Sequence, residues 1–590
     1  MRQVDETTTP PPPPPPPSLP SDGACPTPLK QRRLNGGRSS RGSRRQQLSG
    51  AKVDQLLGLR RTVGGTLQYH VAAEGLPGGP ANLGELLTWP TIMVQQYLFS
   101  GHDRDSRARR TRLLSLWEEG LVVHSDCSGK LTPEATLVLL RHSLFKHGVS
   151  FPEEVLFFWR ACDLSKVCQT VIQGSTSHSP VHLFTGLLER LPEEHMQQVV
   201  ALRPAPCDTK EDRAAAFERM GAYLRDHASK MYGPAMTAEN CMYHPNGQCA
   251  VKFQSPGYLS EAMRPLTLMI AGPSCRPWSL FAGGTDPKSH DDLECWLLWI
   301  SEIARAEYDI VIMENSEHFP VEELFTTGMP KHYCVKYAKW GSQEQGWPVR
   351  RTRAYCVAIN MRTCLWVGGY GEEDGNVLKD FLSHFGAACT LEGDLFCGLD
   401  SEESRDEVMS TLAQKRGMYL RAEQLARFRD QWPTLLPPCA SAAYEQACEL
   451  YRTGSRVGLA GSLNADISQS AARLRSGPWV PTLARSTQLC CMNKNRLFTP
   501  NEVDACMGWP AISRPENLDL VEVVGLHRSL AKVSQAARRS LAGNGMMLPQ
   551  IMSWLLYVFS HVARRQRLEA LCMPLRVAAQ EGDDSDSEDL

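Results

Sequence analysis

Apolar residues in the middle of this chain come in short, nearly uninterrupted runs. Leu121-Val122-Val123, Val155-Leu156-Phe157-Phe158-Trp159, Leu266-Thr267-Leu268-Met269-Ile270 and Ile310-Val311-Ile312-Met313 are each bounded by polar or turn-forming residues. Runs of this length predict strands buried on both faces, as in parallel sheets. Between them the period changes to that of a helix. Leu137, Leu140 and Leu144 keep helical spacing behind Thr132, the expected cap, and Pro133, which suits a first turn. From Asp208 to Met231 the apolar positions Phe217, Met220 and Leu224 recur in the same way. Ile551 to Phe559 is too short to cross a membrane and predicts a buried helix. Strands alternating with helices predict an α/β fold: a Rossmann-like, doubly wound, mostly parallel sheet, with a smaller domain inserted late.

The residues just past those runs carry the candidate chemistry, because open α/β sheets gather functional groups at the carboxyl ends of their strands. Cys275 follows the third run, Glu314 ends the fourth, and a basic fork, Arg351 and Arg353, comes next at a similar spacing. A thiolate adds to an electron-poor carbon and later leaves. A carboxyl can hold a proton on a ring nitrogen and make that ring easier to attack. A guanidinium orients a carbonyl or phosphate with directed donors. Together they suit attack on C6 of a pyrimidine, which activates C5 toward an electrophilic methyl group. Near the first run, Asp126-Cys127-Ser128-Gly129 offers small residues at a strand-to-helix turn, where a ligand can approach backbone donors. Asp163, after the second run, stands where an acidic residue accepts hydrogen bonds from a ribose.

Gly272-Pro273-Ser274-Cys275-Arg276-Pro277-Trp278-Ser279 resembles the Pro-Cys motif of the cytosine-5 DNA methyltransferases. Met313-Glu314-Asn315-Ser316 resembles their Glu-Asn-Val motif, and Gly346 to Arg353 their Gly-x-Pro-Gln-x-Arg-x-Arg motif. Arg496 to Glu502 with Met507-Gly508-Trp509-Pro510, then Ala542-Gly543-Asn544-Gly545-Met546, are similar to the two closing motifs. The resemblance covers about residues 111 to 565 and departs from the family at Ser274, Arg276, Ser316 and Val349. It implies a DNA methyltransferase that uses S-adenosylmethionine and a covalent cysteine adduct. Cys275, Glu314, Arg351 and Arg353 take the catalytic positions, and Asp126, Ser128, Gly129, Asp163 and Asn544 the cofactor-binding ones. The aspartate of the family's third motif, due near His182 to Leu187, is absent. Two other readings stay open: methylation of cytosine in transfer RNA, and a catalytically silent nucleic-acid-binding protein of the same fold.

Composition adds the frame. The 590 residues are 42% hydrophobic, enough for two or three domain cores. A net charge of −2 gives no global attraction to DNA or RNA, so such partners must bind through local patches. With no membrane segment and no secretory leader ahead of Pro10 to Pro17, the 20 cysteines read as free thiols of an intracellular, nuclear protein. The chain divides into a Pro-rich and basic disordered tail (1–50), an extension (51–110), a catalytic domain (111–365) with an insertion near 190–262, a target-recognition region (366–485), a return to the catalytic domain (486–565) and an acidic disordered tail (566–590). In the target-recognition region, Tyr419 to Phe428 predicts a helix whose Arg421 and Arg427, with Arg429 beyond, would meet phosphates. Cys241, His244 and Cys249 have metal-ligand spacing, but three ligands fall short of the usual four, so the reading expects a polar loop and no metal.

Overall fold

A computed structural model describes residues 53–61, 67–73, 80–101, 103–233, 235–255, 264–279, 286–367, 377–456 and 461–567. The proline-rich segment, the basic run and the acidic carboxyl-terminal run lie outside them. Seven strands form the central sheet: β1 (Leu121–Asp126), β2 (Leu156–Cys162), β3 (His182–Phe184), β4 (Leu266–Ala271), β5 (Ile310–Ser316), β6 (Tyr333–Gly341) and β7 (Thr352–Asn360). Their spatial order is β3-β2-β1-β4-β5-β7-β6. The first five run parallel, and β7 pairs antiparallel with both β5 and β6. The expected α/β, doubly wound, mostly parallel sheet is therefore present. Its order reverses between β1 and β4, so a crevice opens beside the carboxyl ends of those two strands.

The apolar runs become strands because their residues satisfy two cores at once. Leu266, Leu268 and Ile270 of β4, with Ile310 and Ile312 of β5, face one core. Met269 and Ala271, with Val311 and Met313, face the other. The seven helices that position the site are α1 (Arg104–Glu118), α2 (Thr132–Lys146), α3 (Lys166–Gly174), α4 (Lys210–Asp226), α5 (Leu293–Ala306), α6 (Gln535–Asn544) and α7 (Leu548–His561). Helix α7 is buried along its whole length against α1 and α2 on the first face. Helix α5 covers the second face with Trp296, Trp299 and Ile303, and α4 packs outside it.

Packing groups residues across several of the expected segments. Leu86, Trp89, Met93 and Leu98, assigned to an extension, are buried in the first core, as are Leu113 and Trp117 of α1. A four-stranded antiparallel sheet joins Asn464–Asp466 and Arg475–Gly477 to Leu489–Cys491 and Arg496–Leu497, so it straddles residue 485. Its core includes Trp432, Leu435 and Ala443 from neighbouring helices. Thr132 is the first residue of α2 and not its cap. Leu131 takes the cap position at a φ of 62°, and the Thr132 hydroxyl is buried without a hydrogen bond.

Candidate active site

Register assembles the catalytic candidates. The β5–β7 pairing sets Glu314 opposite Tyr355 and Ser316 opposite Arg353, so all four share one face of the sheet. Arg353 Nε lies 3.1 Å from Glu314 Oε1, and Arg351 Nη2 lies 3.8 Å from the same oxygen. Both guanidinium groups and the carboxylate are nearly closed to solvent. Glu314 Oε1 is buried and faces both arginines without an aligned hydrogen bond from either. Burial first, and then the adjacent Arg353 charge, push Arg351 down to about 10; Glu314 and Cys275 act in the opposite sense. Arg351 remains cationic at neutral pH.

Cys275 is half-buried on the loop after β4. That loop is held from β5, where Asn315 Nδ2 donates to the Pro273 carbonyl at 3.2 Å and Ser316 Oγ donates to the Trp278 carbonyl at 3.2 Å. The two departures from the family pattern that flank the cysteine share one partner. The Ser274 hydroxyl donates to Asp292, and Arg276 pairs with the same carboxylate at 3.2 Å. Asp292 begins α5, and its side chain serves this loop in place of capping the helix.

The cofactor candidates divide. Gly129 N–H donates to Asp163 Oδ2 at 2.8 Å, and Ser165 N–H donates to Asp163 Oδ1 at 2.9 Å, so the ends of β1 and β2 are bonded together. Burial raises the Asp163 carboxyl even against those donors. Ser128 Oγ accepts from Cys162 N–H at 3.1 Å. Gly129 has a φ of 57°, and the space where a Cβ would sit is open to 4 Å. Asn544 ends α6 one residue before Gly545, whose surroundings include the unpartnered Thr132 hydroxyl. The Gly545 carbonyl accepts from Arg351 Nη2 at 2.6 Å, which ties this turn to the start of β7.

Asp126 differs from the other cofactor candidates. Its carboxylate is fully buried, with Arg160 and Arg190 paired to its two oxygens. Glu302 of α5 closes the ring, pairing with Arg160 at 2.6 Å and Arg190 at 2.9 Å. The four charges lock β1, β2, the segment after β3 and α5 beneath the site. Arg429, expected at phosphate, is also occupied: it pairs with Asp406 at 2.7 Å and Glu402 at 3.1 Å.

Sequence reasoning missed several supporting residues. Lys130 of the β1 turn is buried in an ion pair with Asp504 and stands 4.5 Å over the Trp509 ring, which links that turn to the Arg496–Pro510 motif. Glu502 pairs with Arg496 at 3.1 Å and forms a capping box with Thr499. The Ser/Thr-x-x-Glu spacing of Thr499 and Glu502 was a readable signal; the Lys130–Asp504 pair left none. A cavity of about 320 Å³ lies near Lys252, Arg264, Pro265 and Thr267, at the amino end of β4, and so has no part in this chemistry. The described cysteines are all free thiols, with Cys127 Sγ and Cys295 Sγ 3.7 Å apart, far beyond the roughly 2.05 Å of a bond.

No family model and no curated protein matches the chain. Among solved structures it is similar to a DNMT2 mutant from Spodoptera frugiperda at 13% identity and a TM-score of 0.33, covering 75% of this chain and 99% of that one. It is also similar to the Dnmt2 methyltransferase of S. pombe, at 12% identity and a TM-score of 0.34 over 74% and 98% of the two chains. The Entamoeba histolytica methyltransferase EhMeth is similar at 11% identity and a TM-score of 0.37, over 75% and 98%.

Proposed function

We propose that this chain is an S-adenosylmethionine-dependent methyltransferase acting on C5 of cytosine in DNA. The observation that carries the reading is the convergence of Arg351 and Arg353 on the Glu314 carboxylate, beside a loop that holds Cys275. The crevice next to it fits the cofactor. Ser128, Gly129, Asp163 and Asn544 would hold it, with open space over Gly129 and the orphaned Thr132 hydroxyl at its edge. When bound, S-adenosylmethionine supplies the electrophilic methyl group that C5 takes.

The remaining steps belong to the chain. A paired cytosine must leave the stack first, because its ring is covered above and below, and this costs a few kcal/mol that the pocket must offset. The Cys275 thiolate adds to C6, and the C5–C6 π pair moves toward C5. As the thiolate adds, N3 takes up a proton from solvent and Glu314 Oε1 accepts the N3–H hydrogen bond, which makes C6 electrophilic; that proton returns to solvent when the ring is restored. Arg353 fixes the Glu314 carboxylate in place. Arg351 does the same from the other side while anchoring the Gly545 carbonyl. Once C5 is methylated, it gives up its proton to a base, the double bond re-forms and the thiolate leaves.

The test is transfer of label from S-adenosylmethionine to duplex DNA and, separately, to transfer RNA, by the native chain and by Cys275→Ala. Incorporation into DNA that vanishes in the variant supports the proposal. Incorporation into transfer RNA alone changes the substrate. No incorporation into either favours the silent nucleic-acid-binding reading.

A further inference from the structure

His182 opens β3, the edge strand of the central sheet, and lies far in sequence from Cys241, His244 and Cys249. The fold brings all four together. Their ligating atoms lie within 4.8 Å of one another. His182 Nδ1 is 3.3 Å from His244 Nδ1, Cys241 Sγ is 3.5 Å from His244 Nδ1, and Cys241 Sγ is 3.8 Å from His182 Nδ1. These separations can be compared with a tetrahedral zinc ion. Zn–N bonds of about 2.05 Å and Zn–S bonds of about 2.3 Å at tetrahedral angles place two nitrogens about 3.3 Å apart and a nitrogen and a sulfur about 3.6 Å apart. The three separations among His182, Cys241 and His244 match that arrangement, and Cys249 Sγ lies within 4.8 Å of all three.

The chemistry of the ligand set selects the metal. Two thiolates and two imidazoles with no carboxylate suit zinc and not magnesium or calcium. Four protein ligands leave no open position, which marks a structural and not a catalytic site. The local backbone is shaped to present them. Met242 N–H donates to the Leu183 carbonyl at 2.7 Å, bridging the loop to β3, while His244 N–H donates to the Cys241 carbonyl at 3.3 Å and Gly247 N–H to the His244 carbonyl at 3.1 Å, making tight turns between the ligands. Cys249 begins a two-residue strand paired with Thr237–Ala238. The Trp159 ring stands edge-on to His182 at 4.7 Å, and its Nε1 donates to the Ala250 carbonyl at 3.0 Å. The apolar cluster beside the ligands is small, formed by Cys162, Phe184, Ala238 and Val251 with the two thiols themselves. A segment with so little core gains most from a metal crosslink.

We propose that His182, Cys241, His244 and Cys249 bind one zinc ion that fastens the insertion to the edge of the catalytic sheet. The ion crosslinks β3 to the 241–249 loop, next to the strand end that carries Asp163. This site is independent of the methyltransferase reading.

The experiment counts metal in the full chain by plasma mass spectrometry after dialysis against a mild chelator, and records the visible spectrum after cobalt exchange. His244 is the exposed ligand, so His244→Ala is the variant expected to fold; Cys241→Ser is the second, and Cys207→Ala, at an exposed thiol outside the cluster, is the control. The native chain and the control should hold about one zinc each and give tetrahedral cobalt–thiolate bands, while both ligand variants keep less than about one fifth of that metal. Less than about one tenth of an equivalent in the native chain, or equal retention by His244→Ala, would overturn the proposal. If Cys241→Ser fails to fold, His244→Ala alone decides.

Discussion

Arg353 Nε sits 3.1 Å from Glu314 Oε1, across the antiparallel pairing of β7 with β5. The contact depends on the planar fork of arginine, since Arg353 also donates from Nη1 to the Thr352 carbonyl at 2.7 Å. Arg353→Lys keeps the charge and loses the second donor direction. Turnover should fall roughly 10- to 100-fold, about 1.4 to 2.7 kcal/mol of barrier, with little change in thermal midpoint. Steady-state methyl transfer alongside a melting curve checks this. A variant that melted far earlier would make the residue structural.

Glu314→Gln tests the proton-holding role directly. The amide keeps the shape and cannot carry charge, so kcat should drop by roughly 10²- to 10⁴-fold. Adduct formation with a 5-fluorocytosine duplex should weaken in parallel. Full activity in this variant would remove Glu314 from the mechanism.

Asp292 serves both residues that flank Cys275, so its effect should be read in activity. Asp292→Ala releases Ser274 and Arg276 together, and the loop carrying Cys275 loses its link to α5. We expect at least a tenfold loss of kcat, partly restored by Asp292→Asn, which can still accept from Ser274. Equal activity in the alanine variant would show that Asn315 and Ser316 suffice to hold the loop.

The buried ring of Asp126, Arg160, Arg190 and Glu302 should behave as one unit. Removing one member leaves an uncompensated charge in the interior, at a cost of about 3–5 kcal/mol. Urea unfolding of Arg160→Met should show a loss of that order. Arg160→Met combined with Glu302→Leu should lose less than the sum of the two single changes.

Glu134 supplies a pH dependence. It is buried in the first turn of α2, and desolvation raises its carboxyl to about 7, although Ser125 donates a hydrogen bond to it. The folded state therefore binds more protons than the unfolded chain between the ordinary carboxyl range and pH 7, and stability falls as pH rises through that window. Glu134→Gln should be more stable than the native chain at pH 8 by a few kcal/mol, and the difference should shrink toward zero near pH 4.5. A constant difference across that range would exclude Glu134 as its source.

The sequence by itself determined the strands, their class and the residues at their ends. An uninterrupted apolar run such as Ile310 to Met313 can only be satisfied between two cores, and polar residues directly after it must lie at the rim. The rim positions of Cys275 and Glu314 were legible for that reason, whereas Arg351 and Arg353 reach the same rim from the amino end of the antiparallel β7. Partnerships between distant segments were decided by the tertiary structure alone, because a charge or ligand carries no mark of what it will face. Asp126 looked like a ligand-binding carboxylate until Arg190 and Glu302 closed around it. Asp292 gave no sign that it would hold both neighbours of Cys275. The Cys241, His244 and Cys249 cluster lacked a fourth ligand in sequence; it gained His182 only because strand pairing placed the sheet edge against the insertion.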